Sequence, residues 1–342
     1  MTTQLDCSVG AKKETTYGTA VVNDRFFEFV DESFGWDPTF AQGSGMRVGS
    51  RANRSARRVL AKQSAGGDLN IEMVHKGLGL ILEALFGSAV STAVPGQSGV
   101  YQQLFTPTTT DPLSSYTFQK GIPTLGGGAA TPMTFLGTVC KSGEFSASNS
   151  DIVKLKTSWN AREVKTDIAY AAPSYPAAPE LFHFAEGAIT IGGSQTPPTT
   201  TALATGGTSV ATIDDFSVSY DNKLDDGGFT LGGGGKRRRK PVVGMAEIKG
   251  KVTAEYSDTT LRDAYLAQTP LALTLTFTSP TVIGTSANPA LQIHLPDIRL
   301  EGELPKSGGG SPVKQSIDFT VFDNLTAASP IYVALVTTDA TI

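Results

Sequence analysis

The chain has 342 residues, a formal net charge of −4, 18% charged side chains, 37 glycines and 19 prolines. A hydrophobic fraction of 39% supports a packed core and excludes disorder throughout. The low charge and abundant turn formers favour many short strands over a helical bundle, and the near-neutral total leaves any nucleic-acid contact to local clusters.

The opening MTTQLDCSVGAKKET has no apolar run. No signal peptide is expected, and no stretch approaches the roughly 20 apolar residues needed to span a bilayer. Synthesis and assembly in a cytoplasm are the expectation. Cys7 and Cys140 lack metal-ligand spacing and read as free or buried thiols. Phe26 to Val30 is strand-like, and a basic segment follows with Arg47, Arg51, Arg54, Arg57 and Arg58. Leu69, Ile71 and Met73 alternate with polar residues as in a strand buried on one face. Leu78, Ile81, Leu82 and Leu85 then recur at helical spacing, and Gly87 can stop that helix.

Turn-forming tracts occupy Gly121 to Pro132 and Gly192 to Thr212, and Ala171 to Glu180 reads as an extended Ala/Pro linker. Gly232 to Gly235 precedes an unbroken run of Lys236, Arg237, Arg238, Arg239 and Lys240. Leu271 to Thr278, LALTLTFT, alternates with a period of two. Ile293 to Leu300, Ile317 to Phe322 and Ile331 to Val336 add strands, with a flexible connection expected at Ser307 to Pro312.

The two halves resemble each other. Leu69, Ile71 and Leu78 match Val252, Ala254 and Leu261 at a separation of 183 residues, and Arg54 and Arg57 fall on Arg237 and Lys240. Gly143-Glu144-Phe145 matches Gly302-Glu303-Leu304 at 159, Val153-Lys154 matches Val313-Lys314, and Trp159 falls on Phe319. Tandem duplication follows as the expectation. One module covers residues 1–170, with loop insertions at 88–99 and 121–132. A linker covers 171–180, and a second module covers 181–342.

Recognisable chemistry is sparse. His75, His183 and His294 stand apart and read as surface or lightly packed, and no nucleophile elbow is present. Gly232 to Lys236 departs from a phosphate-binding loop, with Thr230 where the first glycine belongs and Arg237 after the lysine. The expectation is no enzyme, no metal and no cofactor. The basic clusters suit either phosphate binding or docking on an acidic patch of a neighbouring subunit. Docking is preferred, because no stacking aromatics interleave the arginines. Asp31-Glu32, Asp214-Asp215 and Asp225-Asp226 are the candidate acids.

The stretches GAKKETTYGTAV (Gly10 to Val21), RFFEFV (Arg25 to Val30) and GMRVGSR (Gly45 to Arg51) resemble the opening of siphophage tail-tube proteins. KVTAEYSDTTLRDAYL (Lys251 to Leu266), LQIHLPDIRLEGELP (Leu291 to Pro305) and IDFTVFD (Ile317 to Asp323) resemble later parts of that family. The similarity omits the loops at 88–132 and 192–212. The resemblance implies an all-β-dominated fold of β-sandwich modules, each with one short flanking helix. It also implies self-association into stacked rings forming a hollow conduit for DNA ejection. A trimeric, pseudo-six-fold ring is expected for two modules per chain, a hexameric ring otherwise. Tape measure, tail terminator and tail-tip proteins are further implied partners, with DNA passing through the lumen without specific binding and the virion tail as location. Arg47, Arg51, Arg54, Arg57, Arg58, Lys236, Arg237, Arg238, Arg239 and Lys240 are expected at inter-subunit or inter-ring contacts, away from the lumen. Two other readings remain: another virion β-protein, such as a capsid decoration or tail-tip module, and a DNA-binding accessory protein.

Overall fold

The computed structural model describes residues 4–124, 128–210, 213–225, 227–256, 259–302, 304–305, 310 and 313–342. The connection expected at Ser307 to Pro312 lies outside them except for Gly310, as do Asp226 and Glu303. The first half runs β1 (Ser8–Lys13), β2 (Arg25–Phe27), β3 (Phe29–Glu32), β4 (Gly35–Gln42), β5 (Arg58–Glu72) and helix α1 (Gly79–Phe86). It continues with β6 (Gly87–Ala93), β7 (Tyr101–Pro107), β8 (Tyr116–Pro123), β9 (Ala130–Ala147), β10 (Lys154–Ala161) and β11 (Glu163–Lys165). The second half holds β12 (Gly187–Ile191), the short pair β13 (Gln195–Thr196) and β14 (Thr205–Gly206), β15 (Ile213–Asp221) and β16 (Glu247–Glu255). Helix α2 (Thr260–Ala267) precedes β17 (Leu271–Thr278), β18 (Ala290–Gly302), β19 (Lys314–Val321) and β20 (Tyr332–Thr337). The all-β expectation holds, with one short helix following β5 and another following β16.

The strands form two facing layers. One is continuous through both halves: β3 and β4 pair with β5, and the order proceeds β5, β10, β9, β15, β16, β19, β18, antiparallel throughout. The other layer comprises β2–β1–β8–β9 and β12–β17–β18–β20–β7–β6. Strands β9 and β18, 18 and 13 residues long, belong to both layers. A strand alternates its side chains between faces, so each layer turns one face to the core. In β10, KLKTSWNA, Leu155, Thr157, Trp159 and Ala161 are buried while Lys156 is exposed. Trp159 packs 4.5 Å from Phe118 and 6.2 Å from Tyr116, and its indole N–H donates to Thr157 Oγ1 at 2.8 Å.

Helix α1, GLILEALF, is apolar on nearly every side, so it stays stable only when covered by protein. It ends at Gly87, whose φ of 83° suits glycine. Gly143 admits the helix: a Cβ there would sit 2.5 Å from Leu85 Cδ2.

Equivalent pairings recur in the two halves. Gly10 pairs with Phe26 as Thr190 bridges Ser209, and Ala11 pairs with Phe118 as Ile191 pairs with Leu273. Glu32 pairs with Leu69 as Phe216 pairs with Val252, each just past a bulge. Phe118 pairs with Phe135 as Leu273 pairs with Leu295, each again following a bulge. Gly143 pairs with Thr157 as Gly302 pairs with Ile317. The separation of matching positions is 183 residues for Leu69 and Val252 but 155 for Phe118 and Leu273. The first half therefore holds 28 extra residues, the difference of those separations, between β5 and β8. They contain the β6–β7 hairpin.

Two expectations change here. Residues 88–99 are largely strand, because β7 completes its ladder with β6 on one side and β20 on the other. Residues 121–132 are no insertion, being the ends of β8 and β9 with a short connection between them.

The histidines also differ from expectation. His75 and His294 are buried, and only His183 is exposed, 3.3 Å from Glu186. His75 Nδ1 accepts the Glu180 N–H at 2.8 Å, and His294 Nδ1 lies 2.8 Å from Thr274 Oγ1. Hydrogen bonding makes such burial tolerable for the neutral ring. Burial lowers the His294 pKa from 6.5 to about 4. The folded chain therefore refuses a proton that the unfolded chain accepts below pH 6.5, so stability falls as pH drops toward 4. The loss reaches about 3 kcal/mol at full shift. Denaturant midpoints at pH 7 and pH 4 should converge in His294→Gln relative to the parent.

Candidate assembly surface

The continuous layer turns its second face away from the core. Alternation forces this: burying Ile71, Leu155, Phe145, Val218, Val252 and Ile317 sends their neighbours outward. That face carries Asn70, Lys156, Glu144, Ser219, Lys249 and Asp318 on six successive strands. Several of its lysines are tied to carboxylates. Lys156 lies 3.6 Å from Asp68, Lys314 2.5 Å from Asp214, and Lys249 pairs with Glu247. Such pairing offsets the positive charge and leaves a wet, hydrogen-bonding surface with little net hold on phosphate.

Two long β-hairpin connections carry the basic clusters. The first joins β4 to β5. Strand β4 and the start of β5 are exposed on both faces, so this arm stands clear of the core. Arg47, Arg51, Arg57 and Arg58 are exposed on it, and Arg54 is half-buried. The Arg58 guanidinium sits 4.1 Å from the Phe40 ring centroid. Met46, Val48, Val59 and Leu60 are exposed beside them.

The second connection joins β15 to β16 and folds onto the first half. Gln63 N–H donates to Gly235 O at 2.8 Å, and Lys62 lies 4.1 Å from the Phe229 ring centroid. Lys236 pairs with the buried Glu163 on β11. Arg237 is buried, 5.4 Å from the Phe229 centroid, while Arg238 is exposed and Lys240 half-buried. Arg239 holds Asp225 with two bonds of 2.6 and 3.2 Å, which keeps that carboxyl down at about 2. Nearby, burial raises the Tyr17 hydroxyl to about 12 despite Arg237 and Arg162.

The candidate acids fare differently. Asp225 meets a basic cluster, and Asp226 is outside the described residues. Glu32 instead pairs with Lys120 at 3.0 Å, Asp31 accepts from Asn70, Asp214 pairs with Lys314, and Asp215 caps the Asn149 N–H. These four serve the body of the fold. Glu163 carried no sequence signal, since its partner lies 73 residues away.

Cys140 is buried, its thiol pushed far up by desolvation, so it packs and is poorly suited to nucleophilic attack. Among the described residues no cluster of His, Cys, Asp and Glu could hold a metal.

Two strand edges end the continuous layer. Strands β3 and β4 pair on one side only, with β5, and the end of β18 pairs there only with β19, among the described residues. Helix α2 lies over the β18 edge: Tyr265 Oη donates to Gly302 O at 2.7 Å, and Gln268 Nε2 to Leu300 O at 3.1 Å.

A search of curated proteins finds no match to the chain. A family model described as phage tail tube protein matches residues 4–321. That match takes in both edges, both basic connections and the continuous layer joining them, and on it the chain belongs to the phage tail tube protein family, structural components of the phage tail.

Proposed function

We propose that the chain is the major tail tube subunit of a siphophage, closing with its own copies into rings that stack into the conduit for DNA ejection. The observation that carries the reading is the continuous antiparallel layer, which passes from one half to the other through β9 and β15 and ends in two unpaired edges. Unpaired edges are a hazard for an isolated subunit and are satisfied when a sheet closes on itself. The recurring pairings and bulges support two tandem modules, one ending before the 171–180 linker and one following it. Two modules per chain favour a trimeric, pseudo-six-fold ring.

The polar face of the layer then lines the lumen, where lysines paired with carboxylates let a polyanion slide. Arg47 to Arg58 and Lys236 to Lys240 lie at contacts between modules and copies. The docked second connection supports this, with Lys236 on Glu163 and Gln63 bonded to Gly235. An axial contact that does not close generates the filament, whose ends meet the other tail proteins.

Electron microscopy of the purified full chain at high concentration tests the proposal. Uniform hollow tubes or rings are expected. A chain that stays a single particle at every concentration and salt tried would overturn it.

A further inference from the structure

We infer that the junction between neighbouring copies repeats the junction inside the chain, so that the β18 edge of one copy pairs antiparallel with β4 of the next, Gly302 opposite Trp36. This inference rests on the ring reading above and deepens it.

The internal junction supplies the register. There β9 of the first half pairs with β15 of the second: Ser142 faces Asp221, Gly143 faces Tyr220 and Phe145 faces Val218. Each partner has a counterpart at a free edge. Tyr220 pairs with Ile248 on its other side as Trp36 pairs with Ala65, and Ile248 and Ala65 are 183 residues apart, like Val252 and Leu69. Gly143 pairs with Thr157 as Gly302 pairs with Ile317. Transferring the internal register sets Gly302 against Trp36, Glu301 against Asp37 and Leu304 against Phe34.

Exposure supports a missing partner. Tyr220 is 3% exposed and Phe145 1%, each covered at the internal junction. Their counterparts Trp36 and Leu304 are 48% and 49% exposed in the single chain. Tyr220 lies 4.9 Å from Phe86 at the end of α1. Trp36 of the next copy would reach the corresponding end of α2, where Gln268 bonds Leu300 O. The projecting arm before β5 follows its strand onto the same neighbour. It takes the place that the second connection takes on Glu163, whose counterpart 160 residues on is Asp323.

The register also sets two carboxylates face to face, Asp37 and Glu301. Like charges directly opposite one another weaken a strand pair. Reversing either one should therefore promote assembly.

Cross-linking tests the register. On a Cys7→Ser background, chains carrying Asp37→Cys are mixed with chains carrying Glu301→Cys, assembled and oxidised. Directly opposed Cα atoms lie about 4.5–5.5 Å apart, within reach of a disulfide. A dimer-mass band on a non-reducing gel is expected, and none when Gln42→Cys replaces Asp37→Cys. Ser142→Cys with Asp221→Cys, opposed inside one chain, is the positive control. Tubes without the band overturn this junction and leave the tube reading standing. Failure of the parent chain to form tubes overturns both.

A charge cycle covers the case in which cysteines impair assembly. Glu301→Lys and Asp37→Lys should each lower the concentration needed for tubes by roughly two- to five-fold, and the double reversal should return it to the parental value. Additive single effects would overturn the pair.

Discussion

Replacing Trp36 by aspartate should abolish tube formation while leaving the free chain folded. In the single chain Trp36 gives little to stability: it is half exposed, its indole N–H reaches Gln63 Oε1 only at 3.4 Å, and Phe40 meets it edge-on at 6.4 Å. Loss of these contacts should cost the monomer less than about 1 kcal/mol, as for surface substitutions generally. At an interface the same ring is a large apolar anchor, and an aspartate there would be a buried charge without a partner. Truncated aromatic anchors cost about 2–4 kcal/mol each, and every junction around a ring repeats the loss. Micrographs should show no tubes, with thermal unfolding of the monomer shifted by no more than a few degrees. Tubes formed at the parental concentration would mean that this edge is not an interface.

The largest effect on the fold itself is expected for Trp159→Ala. Trp159 closes the core between the layers, against Phe118 and Tyr116, and is buried to 3% exposure. Such truncations cost about 3–5 kcal/mol through lost burial and an unfilled cavity, a large share of the roughly 5–15 kcal/mol that holds a typical domain together. The denaturant midpoint should fall accordingly, with little change in slope. Lys156→Ala is the matched control: three residues away on the same strand, but exposed on the polar face. Its midpoint should move by under about 0.5 kcal/mol. Equal losses in the two variants would contradict the assignment of the faces.

Much of this arrangement can be read from local periodicity. LALTLTFT from Leu271 to Thr278 has a strand's period of two, and it is β17. Leu78, Ile81, Leu82 and Leu85 share a helical stripe, Gly87 can adopt positive φ, and the helix stops there. The polar face of β10 follows from the alternation of KLKTSWNA alone. Family membership was legible in the order of short motifs, though no one motif is diagnostic.

The remainder depends on which distant segments meet. Residues 88–99 look like a loop because Ser, Thr, Gly and Pro fill them, yet β7 and β20 supply the ladder that makes 88–93 a strand. His75 and His294 are polar residues without sequence neighbours to mark them as buried. Glu180 and Thr274, reached only through the fold, accept them into the interior. Glu163 gains its meaning from Lys236, 73 residues on. The sequence by itself determined the strands, the two helices and the alternation that divides polar from apolar faces, because each is set by residues within one or two turns of the chain. Only the tertiary structure decided which edges stay unpaired and which side chains close the internal junction, because strand pairing joins residues that no local pattern relates.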